Sequence, residues 1–300
     1  MGIIRKFASV IGLVAIATGT LAFAGTANAT PVPPVASTAL LGTWVNTNPA
    51  SNSVKQIVIQ PYRTGAVLVD AFGACVPTLC EWGRVLANIY GTSVSSTAGI
   101  AFQTDQRFLI GIKEWSRTQL FGTVAKTPVG LRLTVREFTA FEDGSGRHNY
   151  TQTETFALGD SKQAVTKSGL STTSYVVGQP PALNGGTFGT WVPSGPSNNI
   201  AKIVIGGTPA APTVHAYGVC SPTPCDWGTV RGVTYGTTIS TVRGTTVLAP
   251  YTFSFKRTQL LLKYTIGTDD VEHLTVVTYN EFTDGSGRSN YTNTQSLVHV

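Results

Sequence analysis

The stretch "LRLTVR", residues 131–136, sets Leu131, Leu133 and Val135 between Arg132, Thr134 and Arg136. A period of two sends one set to each face of a β-strand, one face buried and the other wet. No segment of comparable length keeps a helical period. Turn signals punctuate the neighbouring runs at regular intervals, as they do in all-β sandwiches and barrels. Working outward, eight strands are expected in this part of the chain, near 42–46, 54–60, 66–74, 82–90, 98–114 (interrupted), 117–125, 129–141 and 147–156.

The same pattern occurs twice. "LGTWVNTNP" (41–49) answers "FGTWVPSGP" (188–196), and "KQIVIQ" (55–60) answers "AKIVIG" (201–206). "GACVPTLCEWG" (73–83) answers "GVCSPTPCDWG" (218–228), and "SRTQL" (116–120) answers "KRTQL" (256–260). "FEDGSGRHNYTQT" (141–153) answers "FTDGSGRSNYTNT" (282–294). Order is kept and spacing nearly so, which defines two units of small-domain size. The expected organisation is a signal peptide at 1–29, a Pro-rich lead-in at 30–39, repeat 1 at 40–156, a Pro/Gly/Ser/Thr linker at 157–186 and repeat 2 at 187–300. The signal peptide rests on Arg5 and Lys6, a short apolar run and the A-x-A site Ala27-Asn28-Ala29. A secreted, extracellular protein is therefore expected. No membrane span is expected after cleavage, because no later segment is long and apolar enough.

Charged residues make up 12% of the chain, against about 25% in ordinary domains. Removing residues 1–29 lowers the net charge from +6 to +4, and no Lys/Arg cluster exists. Nucleic acid is thus not an expected partner.

An even-numbered antiparallel meander removes its edges by closing into an up-and-down barrel. Eight strands leave room for a packed core or one small ligand. Gly42-Thr43-Trp44 and Gly189-Thr190-Trp191 resemble the G-x-W opening of calycins, the lipocalins and the avidin group. "GTWVN" (42–46) is especially similar to the streptavidin-type opening. The resemblance implies an all-β chain of two tandem eight-stranded antiparallel up-and-down, calycin-like barrels. It also implies that Trp44 and Trp191 plug the closed barrel ends. Asn46 matches a biotin-contacting Asn of avidin-like proteins, but repeat 2 has Pro193 there, and neither repeat has tryptophan in its last two strands. Biotin is not the expected ligand.

All four cysteines lie in the two C-x4-C stretches, Cys75/Cys80 and Cys220/Cys225. Four cysteines allow three connectivities, and a pair at the mouth of a hairpin in each repeat favours local disulfides. The spacing suits neither a four-ligand zinc site nor a C-x-x-C redox site. A loop this short gains only modestly from closure entropy, so its expected purpose is to fix loop shape.

Strand parity puts loops 1–2, 3–4, 5–6 and 7–8 on one rim, and the repeated features fall there. Candidate ligand-binding residues are Asn46, Glu81, Trp82, Arg117, Asp143 and Arg147 in repeat 1, with Asp226, Trp227, Arg257, Asp284 and Arg288 in repeat 2. Asp-Gly-Ser-Gly reads as a hairpin turn before it reads as a calcium loop, since too few carboxylates follow. Trp82 and Trp227 could be wall residues, and Arg117 and Arg257 could stack on a tryptophan. "NYT" at 149–151 and 290–292 fits a glycosylation sequon. No nucleophile motif, metal set or cofactor site is present, so no catalytic residue is assigned.

The leading expectation is a non-enzymatic binding protein with one site per barrel at the disulfide-fixed rim, for a small polar molecule or glycan. The alternatives are an inhibitor of a secreted hydrolase, with the stapled loop as a wedge, and a small enzyme using the carboxylate pairs Glu81/Asp143 or Asp226/Asp284.

Overall fold

The computed structural model describes residues 34–75, 78–110, 113–159, 165–167, 180–197, 199–268 and 270–300. The expected signal peptide, the start of the lead-in and much of the 157–186 linker lie outside the described residues.

The first half contains β1 (Val35–Ala36), β2 (Gly42–Asn46), β3 (Val54–Arg63), β4 (Ala66–Gly73), β5 (Leu79–Tyr90), β6 (Ala98–Gly99), β7 (Ala101–Ile110), β8 (Lys113–Thr127), β9 (Gly130–Phe141), β10 (Tyr150–Leu158) and β11 (Val165–Lys167). Strands pair in the order β5-β4-β3-β2-β10-β9-β8-β7, and β7 pairs back onto β5. The result is a closed eight-stranded antiparallel barrel. β11 lies parallel to β5 on its outer edge, beside the first disulfide.

The second half contains β12 (Ala182–Leu183), β13 (Gly189–Pro193), β14 (Ile200–Thr208), β15 (Ala211–Gly218), β16 (Cys225–Arg231), β17 (Val233–Tyr235), β18 (Arg243–Gly244), β19 (Thr246–Thr252), β20 (Lys256–Ile266), β21 (Glu272–Phe282) and β22 (Tyr291–His299). Its barrel is nearly closed and counts nine strands. The equivalent of β5 is interrupted at Gly232, leaving β16 against β15 and β17 against β19.

The period-two rows do what their pattern dictates. Leu133 and Val135 are buried in the first core with Trp44, Ile57, Leu120 and Phe156, while Arg132 and Thr134 face outward. Trp44 and Trp191 are fully buried, and each indole Nε1 donates to a lead-in carbonyl, Leu40 and Thr187, at 3.0 Å. The lead-ins are tied down alike, β1 parallel to β6 and β12 parallel to β18. Both local disulfides are formed, Cys75–Cys80 and Cys220–Cys225, with Cα separations of 5.6 and 5.5 Å. Six-residue loops limit each to about 2 kcal/mol of chain-entropy stabilisation.

The barrels dock through an aromatic seam. Tyr90 meets Tyr279 edge-on at 5.1 Å, and Phe138 meets Tyr235 in the same way at 5.0 Å. Phe121 joins both sides, 4.9 Å from Tyr279 and 5.5 Å from Phe138. Tyr90 is the repeat equivalent of Tyr235, and Phe138 of Tyr279, so the contact is isologous, as in a two-fold dimer. Backbone bonds repeat the symmetry: Gly91 N donates to Asn290 O (2.8 Å) and Gly236 N to Asn149 O (2.9 Å). Ser289 N donates to Val94 O and His148 N to Ile239 O, both at 2.9 Å. Each barrel thus lends one loop to the neighbour's rim.

Phe121 is fully buried. Phe121→Ala should therefore cost about 3–5 kcal/mol, read as a lowered midpoint in urea denaturation. A change below about 1 kcal/mol would mean that the seam is peripheral to stability.

Candidate functional site

In the first barrel the apolar plug fills only the lower half. Above it the inward rows turn polar. β9 continues from Leu133 and Val135 to Glu137 and Thr139, and then to Phe141. Glu137 is 2% exposed. It accepts hydrogen bonds from Ser53 Oγ, from Thr139 Oγ1 at 3.3 Å and from Tyr150 Oη at 3.5 Å. Glu154 of β10 accepts from Asn46 Nδ2 and Ser51 Oγ, and Asn46 Nδ2 also reaches Val54 O at 2.7 Å. Burial pushes the Glu137 carboxyl up to about 7, its hydrogen bonds oppose this, and the nearby Glu154 adds to the rise.

Aromatic rings collar these acids. Trp82 meets Phe108 edge-on at 5.3 Å, and Phe108 meets Trp115 at 5.7 Å. With Ser116, Thr118, Phe141 and Tyr150 they enclose a cavity of about 260 Å³, and Ile239 from the second barrel closes one side. Gly73 makes room for the Trp82 indole. A Cβ there would stand 2.5 Å from Nε1, and Gly218 has the same relation to Trp227.

The second barrel fills the same space with its own side chain. Lys256 replaces Ser116 and is 9% exposed. Its ammonium lies 4.6 Å from the Trp227 ring centre, 5.2 Å from Phe253 and 6.0 Å from Phe255. It donates to Asn280 Oδ1 at 3.1 Å. Burial, then repulsion from Arg288, brings the Lys256 ammonium down to about 8. Thr278 and Gln295 stand where the first barrel has Glu137 and Glu154.

The expected rim residues divide three ways. Trp82 and Trp227 reach the cups, Arg147 also lines the first cup with its guanidinium 5.4 Å from the Trp115 ring, and Asn46 bonds Glu154. Asp143 and Arg147 form a clasp: one carboxylate oxygen takes Ser145 N at 2.8 Å and the other takes Arg147 Nη2 at 2.5 Å. Asp284 and Arg288 repeat it at 3.1 and 2.6 Å. The clasp lays each guanidinium over a ring, Arg147 4.0 Å from Phe141 and Arg288 4.1 Å from Phe282. The third group points away. Arg117 lies inside β8, one residue past the inward Ser116, and pairs with Asp105 on the outer face. Arg257 is exposed opposite Glu281. Neither stacks on a tryptophan among the described contacts. Glu81 is half-buried and adds to the raised pKa of Asp70, which burial chiefly causes. Asp226 is exposed and bonds Gly228 N (2.7 Å) and His215 Nε2 (2.6 Å), which lower its pKa in that order.

Sequence reasoning passed over Glu137, Glu154, Phe108, Trp115 and Lys256. Glu137 was within reach, because it prolongs the inward row that begins at Leu131. The sequon asparagines serve the fold: Asn149 is buried and its Oδ1 accepts from Phe141 N at 3.1 Å, as Asn290 does from Phe282 N at 2.9 Å.

Three larger clefts, of about 510, 490 and 380 Å³, lie between the barrels. Their charged residues, Arg136, Lys263, Arg117, Glu142, Arg63 and Arg288, are half-buried or exposed, so none brings a buried charge to a point. No group of metal-ligating side chains occurs among the described residues. No protein-family model matches the chain, and no curated protein matches it significantly.

A carboxyl with a folded pKa raised from 4.5 to about 7 binds its proton more tightly folded than unfolded. Its effect on stability is favourable below the unfolded value and is lost as pH rises towards 7. Glu137→Gln should remove a loss of about 3 kcal/mol between pH 4.5 and 8. Urea titrations of both proteins across that window check this; parallel curves would show Glu137 to be solvated.

Proposed function

We propose that this chain is an extracellular, non-enzymatic binding protein of calycin-like architecture, and that its ligand sits in the mouth of the first barrel. The observation that carries the reading is the polar upper half of that barrel. Folding leaves a collared cavity there, with a buried acid at its floor, where apolar side chains would have been more stable. Gln106 supports it. It is 1% exposed, on the same inward row as Phe108, and neither amide atom has a hydrogen-bond partner among the described residues. Buried amides rarely stay unpaired without reason.

Secretion fits the two disulfides, which persist outside the reducing cytosol. Among the described residues no helix is long and apolar enough to cross a membrane, which is compatible with an extracellular protein and leaves membrane β-barrels untouched. The ligand is small, since about 260 Å³ falls just below the usual range for ligand pockets, and polar, since Glu137, Ser116, Thr118 and Thr139 line the cup. The second barrel contributes Ile239 as a wall and keeps its own cup filled by Lys256.

Native mass spectrometry of the protein from its own culture medium, before and after denaturation, tests the reading. A small adduct lost on denaturation is expected at one per chain. Trp82→Ala and Ile239→Ala should each weaken its rebinding about tenfold, some 1.4 kcal/mol. A bare chain that forms a stoichiometric complex with a secreted hydrolase would overturn the reading in favour of inhibition.

A further inference from the structure

The two barrels carry the same cup with opposite charge. In the second, Trp227, Phe253 and Phe255 surround the ammonium of Lys256. In the first, Trp82, Phe108 and Trp115 hold the equivalent positions, but Ser116 replaces the lysine. Two neutral residues below, Thr278 and Gln295, become Glu137 and Glu154. The first cup is therefore the second with the lysine ammonium removed and two acids added, while the clasp arginine stays at the rim of both, Arg147 in the first and Arg288 in the second. Ring faces attract cations, most strongly when water is excluded. Carboxylates bond ammonium groups more strongly than neutral acceptors do. Gln106 stands on the same inward row with a free amide to bond a second polar group.

We infer that the first cup binds a small molecule through a primary ammonium group, seated where Lys256 sits in the second barrel. The inference rests on the reading of that cup as a ligand site. The rings select an organic cation over a hydrated metal ion, whose shell they cannot replace. Ser116, Thr118 and Thr139 supply hydroxyls to the ammonium hydrogens that the carboxylates leave free.

Binding then depends on pH through Glu137. The charged and titratable groups around it are Glu154 and Tyr150 of β10 and Arg147 of the β9–β10 turn. Facing side chains of β2, β7 and β8 (Asn46, Gln106, Phe108, Ser116 and Thr118) carry no charge. A cation is held best when Glu137 is ionised, so affinity rises as pH rises through about 7 and falls again only when the amine itself deprotonates.

The test is calorimetric titration of the disulfide-bonded chain with 1,5-diaminopentane and with its neutral counterpart 1,5-pentanediol. The diamine should bind one per chain and the diol should not. The Glu137→Gln/Glu154→Gln variant, which preserves shape, should lose at least tenfold in diamine affinity and its pH dependence. Ser116→Lys, which copies the second barrel, should abolish binding. A diol or neutral sugar that binds as well as the diamine, and is blocked by Ser116→Lys, would overturn the cation and leave the cup as a ligand site. Diamine binding unchanged in both variants would overturn the inference by placing the amine elsewhere. If no probe binds and the native protein carries no adduct, both readings fail.

Discussion

The pairing of β5 with β7 closes the first sheet, and most other features of this barrel follow from that closure. A closed sheet has one inside, and the pleat sends every second residue into it. The inward rows must then fill a tapering tube from one end. Trp44 and its neighbours fill the lower part with apolar volume, anchored by the indole bond to Leu40. The rows cannot stop at that level, because the strands continue to the rim. Whatever stands next on each row becomes cup lining, Glu137 on β9, Tyr150 on β10, Phe108 on β7, Ser116 and Thr118 on β8, with Glu154 and Gln106 on the same inward rows.

Burying carboxyl groups is costly, and the protein manages the cost in two ways. Glu137 keeps its proton up to about neutral pH, and its oxygens are bonded by Ser53, Thr139 and Tyr150. Glu154 is bonded by Asn46 and Ser51. The second barrel solves the opposite problem with the same geometry. Its buried Lys256 is satisfied by Asn280 and three ring faces, with no carboxylate partner among the described contacts. The tandem arrangement makes these differences consequential. Docking through Tyr90, Phe121, Phe138, Tyr235 and Tyr279 carries Ile239 to the first cup and Val94 to the second rim. The first cup is thus a product of both repeats, though its chemistry comes from one.

The amino-acid pattern alone determined the strand class, the duplication and the local disulfides. These are local or repeated features, written in alternation, turn residues and spacing. The inward role of Trp44 and Trp191 was legible only through the resemblance of the Gly-Thr-Trp stretches to a known opening. The rim was legible in part. Trp82 and Trp227 reach the cups and Asn46 bonds Glu154, while the Asp-Gly-Ser-Gly-Arg stretches hold their own turns and set Arg147 in the lining of the first cup. Arg117, Arg257 and Asp226 face outward, for a reason the linear pattern conceals. β8 begins at Lys113, earlier than the interrupted run suggests, so Trp115 and Ser116 enter the barrel and Arg117 leaves it. Only the tertiary structure decided how deep each inward row lies when the tube closes, and which loop of one barrel reaches the other. Depth turns Glu137 from a hydrophilic strand residue into a buried acid, and docking brings Ile239, itself still exposed, to one side of the cup. Both depend on contacts between residues far apart in the chain, and no local pattern records those.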